Sequence, residues 1–214
     1  MDKRRLVHEL LRAMQPWMAS EGFTYSDHEG LFKRFIGACE QVIVPELTRR
    51  ATAWEIDLHF QVRFEAIEDL LNSFKSNLSA SEASRTVTIR ATLRELGAEA
   101  EAKMLVNTTS LETALGPLLA DISTYGLLFF HRWSTVKQIR ESYEGASVDW
   151  PEADPIRRCE NLLTIYALKG DRQAFDHHAT EMLRFMAGHR GGFYLEPFEH
   201  IVLNLAQDPV WLGK

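Results

Sequence analysis

Two cysteines in 214 residues cannot build a disulfide framework. Cys39 and Cys159 stand far apart and match neither a zinc spacing nor a redox CxxC, so a reduced, cytoplasmic protein is expected. There is no HExxH, no glycine-rich phosphate loop and no GxSxG elbow, and the reaction classes built on those motifs lose their main support. A Lys/Arg stripe with interleaved aromatics is also missing. With a net charge of -6, the electrostatic footprint of a nucleic-acid binder is absent. Lys3-Arg4-Arg5 and Arg49-Arg50 read as solvated ends and turns. Leu6 to Met18 is interrupted by His8, Glu9 and Arg12, so no secretory leader core forms. No run approaches the ~20 consecutive apolar residues that span a bilayer. The expectation is a soluble protein with no membrane or nucleic-acid partner and no cofactor.

What is present is an ordinary globular composition, 45% hydrophobic and 25% charged, in a chain long enough to bury a sizeable core. Its strongest pattern runs from Trp54 to Phe74. Trp54, Ile56, Leu58, Phe60, Val62 and Phe64 alternate with Glu55, Asp57, His59, Gln61 and Arg63, the period-two signature of a strand with one wet face. The spacing then becomes helical through Ile67, Leu70, Leu71 and Phe74, predicting a helix that folds back on the strand's apolar face.

Before that strand, Leu6, Val7, Leu10, Leu11, Met14, Trp17 and Met18 predict an amphipathic helix ending near Gly22, kinked or cut short by Pro16. Leu31 to Ile36 and Cys39 to Val44 predict strands joined by the tight turn Gly37-Ala38, the second stopped by Pro45, with residues 46–53 as a connection. Ser76 to Ser84 reads as a loop, and Val87 to Leu93 as another alternating strand. Beyond Met104 the signals are helical. Thr109 to Glu112 has capping-box spacing, Pro117 marks a kink or second start, and Leu127 to Phe130 is too short to classify. Ala146 to Asp154 reads as a linker. Two helices meeting at Gly170-Asp171 then form an αα-hairpin, and Pro197 to Gln207 makes a last helix. The predicted fold is α+β. A mainly antiparallel sheet of about four strands with helices on one face occupies 1–106, an all-helical half occupies 107–214, and the two form one compact unit.

Candidate sites are few. His177, His178 and Glu181 come closest to a metal cluster, but no third ligand stands at a recognisable spacing, so they read as packing or surface residues. Cys39 reads as a core cysteine rather than a nucleophile, and Glu68-Asp69 and Glu99/Glu101 as solvated carboxylates on helix surfaces. The wet face of the long strand, Glu55, Asp57, His59, Gln61 and Arg63, is the candidate partner surface, with Glu55 and Asp57 suited to a basic partner. Tyr125, His131 and Trp133 are the candidate lining of a pocket between sheet and C-terminal helices.

Several short pieces together resemble a bacterial family catalogued as a domain of unknown function. They are Gly22-Phe23, Leu31-Phe-Lys-Arg-Phe35, Phe60-Gln-Val-Arg-Phe64, Tyr125-Gly-Leu-Leu-Phe-Phe130 and Leu168-Lys-Gly-Asp171. That resemblance implies an immunity or accessory protein that neutralises a toxin by binding it, with no catalytic residues to transfer. A non-enzymatic protein-binding factor is the first functional expectation. A small-ligand binder or enzyme is the alternative.

Overall fold

The computed structural model describes residues 2–51, 53–75, 78–97, 103–105, 108–145, 155–208 and 211. The layout is α+β, with an antiparallel sheet in the N-terminal half and, after residue 107, only helices among the described residues. The chain forms two compact units, and neither is a continuous segment. Met1–Arg63 joins Ile89–Ser134 in the first, and Phe64–Thr88 joins Thr135–Lys214 in the second. This division differs from a single cut at 106.

In the first unit, helix α1 (Lys3–Ser20) precedes strands β1 (Thr24–Ser26), β2 (Leu31–Ile36), β3 (Cys39–Arg50) and β4 (Ala53–Phe64). β5 (Ile89–Thr92) and β6 (Lys103–Leu105) follow later in sequence, and both pair antiparallel with β4. The sheet order is β1-β2-β3-β4-β5. Gly37 supplies the positive φ of 59° for the two-residue turn, and Ile36 pairs with Cys39 across it. β3 runs on through Pro45 to Arg50, where a connection was expected. The described β2 pairing reaches only Phe32 opposite Ile43, so Pro45 lies beyond that ladder, where a missing N–H is tolerated. α1 likewise continues past Pro16, because the proline and the carbonyl of Arg12 that it leaves unpaired are on the exposed side of the helix.

α4 (Thr108–Asp121), a π-helical turn (Ile122–Gly126) and α5 (Leu127–Arg132) follow one another without a break. Pro117 lies inside α4 and follows Gly116, a residue without the Cβ that crowds a following proline ring. Leu127 to Phe130 is thus helix, not strand or loop. The stretch Leu111–Arg132 is 22 residues long and holds an 18-residue window with a mean hydropathy of 1.3, enough by length and composition to cross a membrane. No unbroken apolar run announces it, since Glu112 and Asp121 as well as Thr113, Ser123 and Thr124 interrupt the apolar residues. The linker Ala146 to Asp154 and the carboxylates Glu99 and Glu101 lie outside the described residues, and Thr109, expected as a cap, stands one residue inside α4, which begins at Thr108.

The apolar side of β4 carries the core of this unit: Ile56, Leu58, Phe60 and Val62 are buried, and Phe60 meets Phe129 and Phe130 of α5 at ring-centroid distances of 6.4 and 5.7 Å. Gly126 makes this approach possible. A Cβ there would lie 2.2 Å from Cε1 of Phe60, itself fully buried.

The second unit holds α2 (Glu65–Ser73), α3 (Ala80–Ala83), α6 (Val136–Glu144), α7 (Pro155–Lys169), α8 (Arg172–Gly188), a 3-10 turn (His189–Gly192) and α9 (Leu195–Gln207). α2 packs against α7 of its own unit. α3 replaces an expected loop. Ser79 caps it by accepting from the amide of Glu82, whose carboxylate accepts from the Ser79 amide. α7 also contacts α6, α8 and α9, and its residues 159–167 are all buried.

Gly126→Ala is expected to destabilise the protein by about 1–3 kcal/mol from overpacking against Phe60, outweighing the ~1 kcal/mol helix-propensity gain of alanine. Urea denaturation of the variant measures this.

Candidate functional site

The polar side of β4 is less open than alternation implied. Glu55 is only 6% exposed, with Oε2 accepting from Arg50 Nε at 2.5 Å and Oε1 accepting from Arg94. The Arg50 hydrogen bond, then the charges of Arg50 and Arg94, hold this carboxylate below its usual range. Both oxygens are therefore engaged within the chain, which corrects the expectation that Glu55 faces a basic partner. Asp57 is half-buried and accepts from the Leu58 amide at 2.8 Å; burial raises its carboxyl. His59 Nε2 pairs with Glu46 Oε2 at 2.5 Å, Gln61 stands opposite Arg90, and Arg63 is half-buried. Neighbouring strands thus supply counter-charges that the β4 sequence does not show.

Tyr125, His131 and Trp133 have different surroundings. Tyr125 is half-buried in the π turn, His131 is exposed on α5, and Trp133 is buried with its carbonyl 3.9 Å from the Cys39 thiol. They line neither of the two cavities described here, one beside Arg5, His8 and Tyr25 in the first unit and one beside Arg140 and Asp171 in the second. Cys39 is fully buried, and burial pushes its thiol up to about 11 despite the Gln41 hydrogen bond and the Arg34 charge. It is not a nucleophile at neutral pH.

In the second unit, two side-chain clusters and an aromatic run escaped sequence reasoning. The first cluster surrounds Glu68, which is buried, not solvated on a helix surface. Arg157 Nη2 donates to both of its oxygens at 2.5 Å, and the Thr88 hydroxyl donates to Oε1 at 3.0 Å. Burial opposes the charge of Arg157, but Glu68 and Glu160 outweigh it and raise the guanidinium overall. Asn161 Nδ2 donates to the Thr88 carbonyl at 2.8 Å, and Lys75 Nζ donates to Glu160 at 3.4 Å. This network ties α2, residues 87–88 and α7 together.

The second cluster joins α6, α7 and α8. Arg140 donates to Glu144 and to Asp171, both at 2.8 Å, and its guanidinium lies 4.9 Å from the centre of the Tyr166 ring. The Tyr166 hydroxyl donates to Glu144 at 2.9 Å, while its ring stacks on His178 at 5.3 Å and an interplanar angle of 14°. Burial first, then the Glu144 carboxylate, raises the Tyr166 phenol. Asp171 caps α8 by accepting from the Ala174 amide at 3.1 Å, and that bond is the largest cause of its lowered carboxyl. A cavity of about 570 Å³ opens beside Arg140 and Asp171, lined also by Lys137 and Lys169.

The aromatic run lies at the α8–α9 junction. Phe185 stacks on His189 at 5.0 Å, His189 lies 6.4 Å from Tyr194, and Tyr194 meets Phe193 edge-on at 4.9 Å. Phe185 is 44% exposed and Phe193 76%. The sequence held a partial sign in the aromatic pair that follows Gly191-Gly192.

Arg157→Met is expected to cost about 3–5 kcal/mol by stranding the buried Glu68 charge, and a further Glu68→Gln change should recover much of it, as read by urea denaturation. Cys39 and Cys159 are both buried, so a thiol reagent should modify neither in the folded chain at pH 7 and both in denaturant. Because folding raises the Cys39 thiol, its contribution to stability is full below the ordinary value of 9.0 and falls as pH rises toward 11. Melting curves across that window check the sign.

No family model, curated protein or solved structure matches this chain.

Proposed function

We propose that this chain is a non-enzymatic protein-binding factor, of the immunity or accessory kind, whose docking surface is the aromatic run at the α8–α9 junction. The observation that carries the reading is the exposure of Phe185 and Phe193 within a continuous series of ring contacts. Large aromatics left in water within one patch mark sites where a partner buries them, and aromatic residues dominate the energetics of such interfaces. The exposed Phe35 and Ile36 at the tip of the β2–β3 hairpin add a second apolar projection. A toxin is the partner that fits an immunity role. A small-ligand site is the second reading, favoured by the cavity beside Arg140 and Asp171, whose Lys137 and Lys169 suit a small anion.

The test is co-purification from the native cell with the wild-type chain and a Phe185→Ser/Phe193→Ser variant. Burying each aromatic is worth about 1.5–3 kcal/mol, so the variant should bind the recovered partner at least roughly tenfold more weakly. Its circular dichroism should not change, because both rings are exposed. Equal recovery of the same partner by variant and wild type would overturn the docking surface.

A further inference from the structure

We propose that His177, His178 and Glu181 form a binding site for a divalent first-row metal ion, with Zn²⁺ the best fit, on α8. The sequence placed these residues together but offered no third ligand at a recognised spacing. The helix supplies it. The ligand atoms of all three residues lie within 4.8 Å of one another. His177 Nε2 is 3.9 Å and His178 Nδ1 is 3.6 Å from the same carboxylate oxygen, Glu181 Oε2.

A tetrahedral zinc with bonds of about 2.0–2.1 Å holds its donors roughly 3.3 Å apart. Closing the cluster therefore needs inward shifts of about 1 Å or less at most of the ligand tips. The side chains of His177 and Glu181 are 65% and 57% exposed, so rotation about their χ angles meets little resistance. His178 is the fixed ligand. Its imidazole lies face to face with Tyr166, whose ring is fully buried and whose hydroxyl is held by Glu144. That stack sets the ring plane while Nδ1 faces Glu181. The His177 ring stands edge-on to it at 5.0 Å and an interplanar angle of 71°. Holding one ligand's plane through a chain of neighbours is how metal sites preset their geometry.

Two imidazoles and one carboxylate form a borderline donor set that suits Zn²⁺ and also binds Ni²⁺ and Cu²⁺. Three protein ligands leave a fourth position open to water or to a donor from outside the chain. Residues 177, 181 and 185 succeed one another at four-residue steps along α8, so Phe185 lies on the same face, one turn beyond Glu181. The site does not depend on the protein-binding reading and stands or falls separately.

The test uses the full chain stripped with a chelator and titrated with Zn²⁺ by isothermal calorimetry. One saturable ion per chain is expected. Loss of an outer partner of a metal ligand already costs about 10–100-fold in affinity, so His177→Ala and Glu181→Gln should each weaken binding by at least that much. The metal-free melting temperatures of both variants should stay unchanged, because neither side chain is buried. Absence of saturable binding would overturn the site. So would unchanged affinity and stoichiometry in His177→Ala, which would place the ion on other histidines of the chain.

Discussion

The constraint on which the second unit depends is a helix with no wet side. α7 is buried from Cys159 through Ala167, yet that stretch includes Glu160, Asn161 and Thr164. Such a helix cannot turn its polar groups to water, so its surroundings must answer them, and they do so for most, Asn161 Oδ1 being left without a hydrogen-bond partner among the described residues. Thr164 Oγ1 donates to the Glu160 carbonyl at 2.7 Å, Asn161 Nδ2 donates to the Thr88 carbonyl, and Glu160 accepts from Arg157 and Lys75. Glu68 completes the arrangement from α2. A buried ion pair of this kind adds little net stability over an apolar contact, but it penalises every misaligned packing of α2 on α7. On this reading its contribution is to register more than to strength.

The first unit meets the same requirement with one polar side chain and one missing methyl. Gln41 is fully buried on β3, where Nε2 donates to the Phe130 carbonyl at 3.3 Å and Oε1 accepts from Arg34 Nε at 2.7 Å. Arg34 also donates to the Glu21 carbonyl at 2.5 Å and lies 4.3 Å from the centre of the Phe23 ring. The end of α1, strand β3 and α5 are thereby held through two side chains. The π turn ends at Gly126, where the helix backbone meets Phe60. An extra residue in the helical turn and a glycine at its end let the helix approach the sheet at that point.

Much of this fold was legible in the sequence, and the reasons are local. Alternation from Ile56 to Phe64 reports a sheet with one buried face, Gly37-Ala38 reports a two-residue turn, and Asp171 after Gly170 reports a cap between two helices. Each signal lies within a few residues of its consequence. The misreadings involve partners distant in sequence. Pro45 stops a strand only where both sides are paired, and the extent of that pairing is set by the length of β2. Glu68 looks solvated beside Asp69 until Arg157, 89 positions later, covers it. Glu55 is closed off by Arg94, 39 positions away. The rings that make the proposed docking surface come from α8, a 3-10 turn and the two turn residues before α9, so no single periodicity marks them. The His177–His178–Glu181 cluster is the exception, since one helix brings it together and only the distances were missing.

The interleaving of the two units bears on how the protein is made. The chain passes from one unit to the other after Arg63, after Thr88 and after Ser134. Residues 64–88 leave the ribosome well before α7, the helix against which α2 packs, has been synthesised. At about 5–20 residues per second, Glu68 waits several seconds for Arg157. During that interval Ile67 and Leu71 have no partner on α7, whereas β2 and β3 can already pair. The α4–α5 segment of the first unit is synthesised before α7 of the second, so the apolar positions of residues 65–73 stay without their α7 cover on the nascent chain until α7 is made.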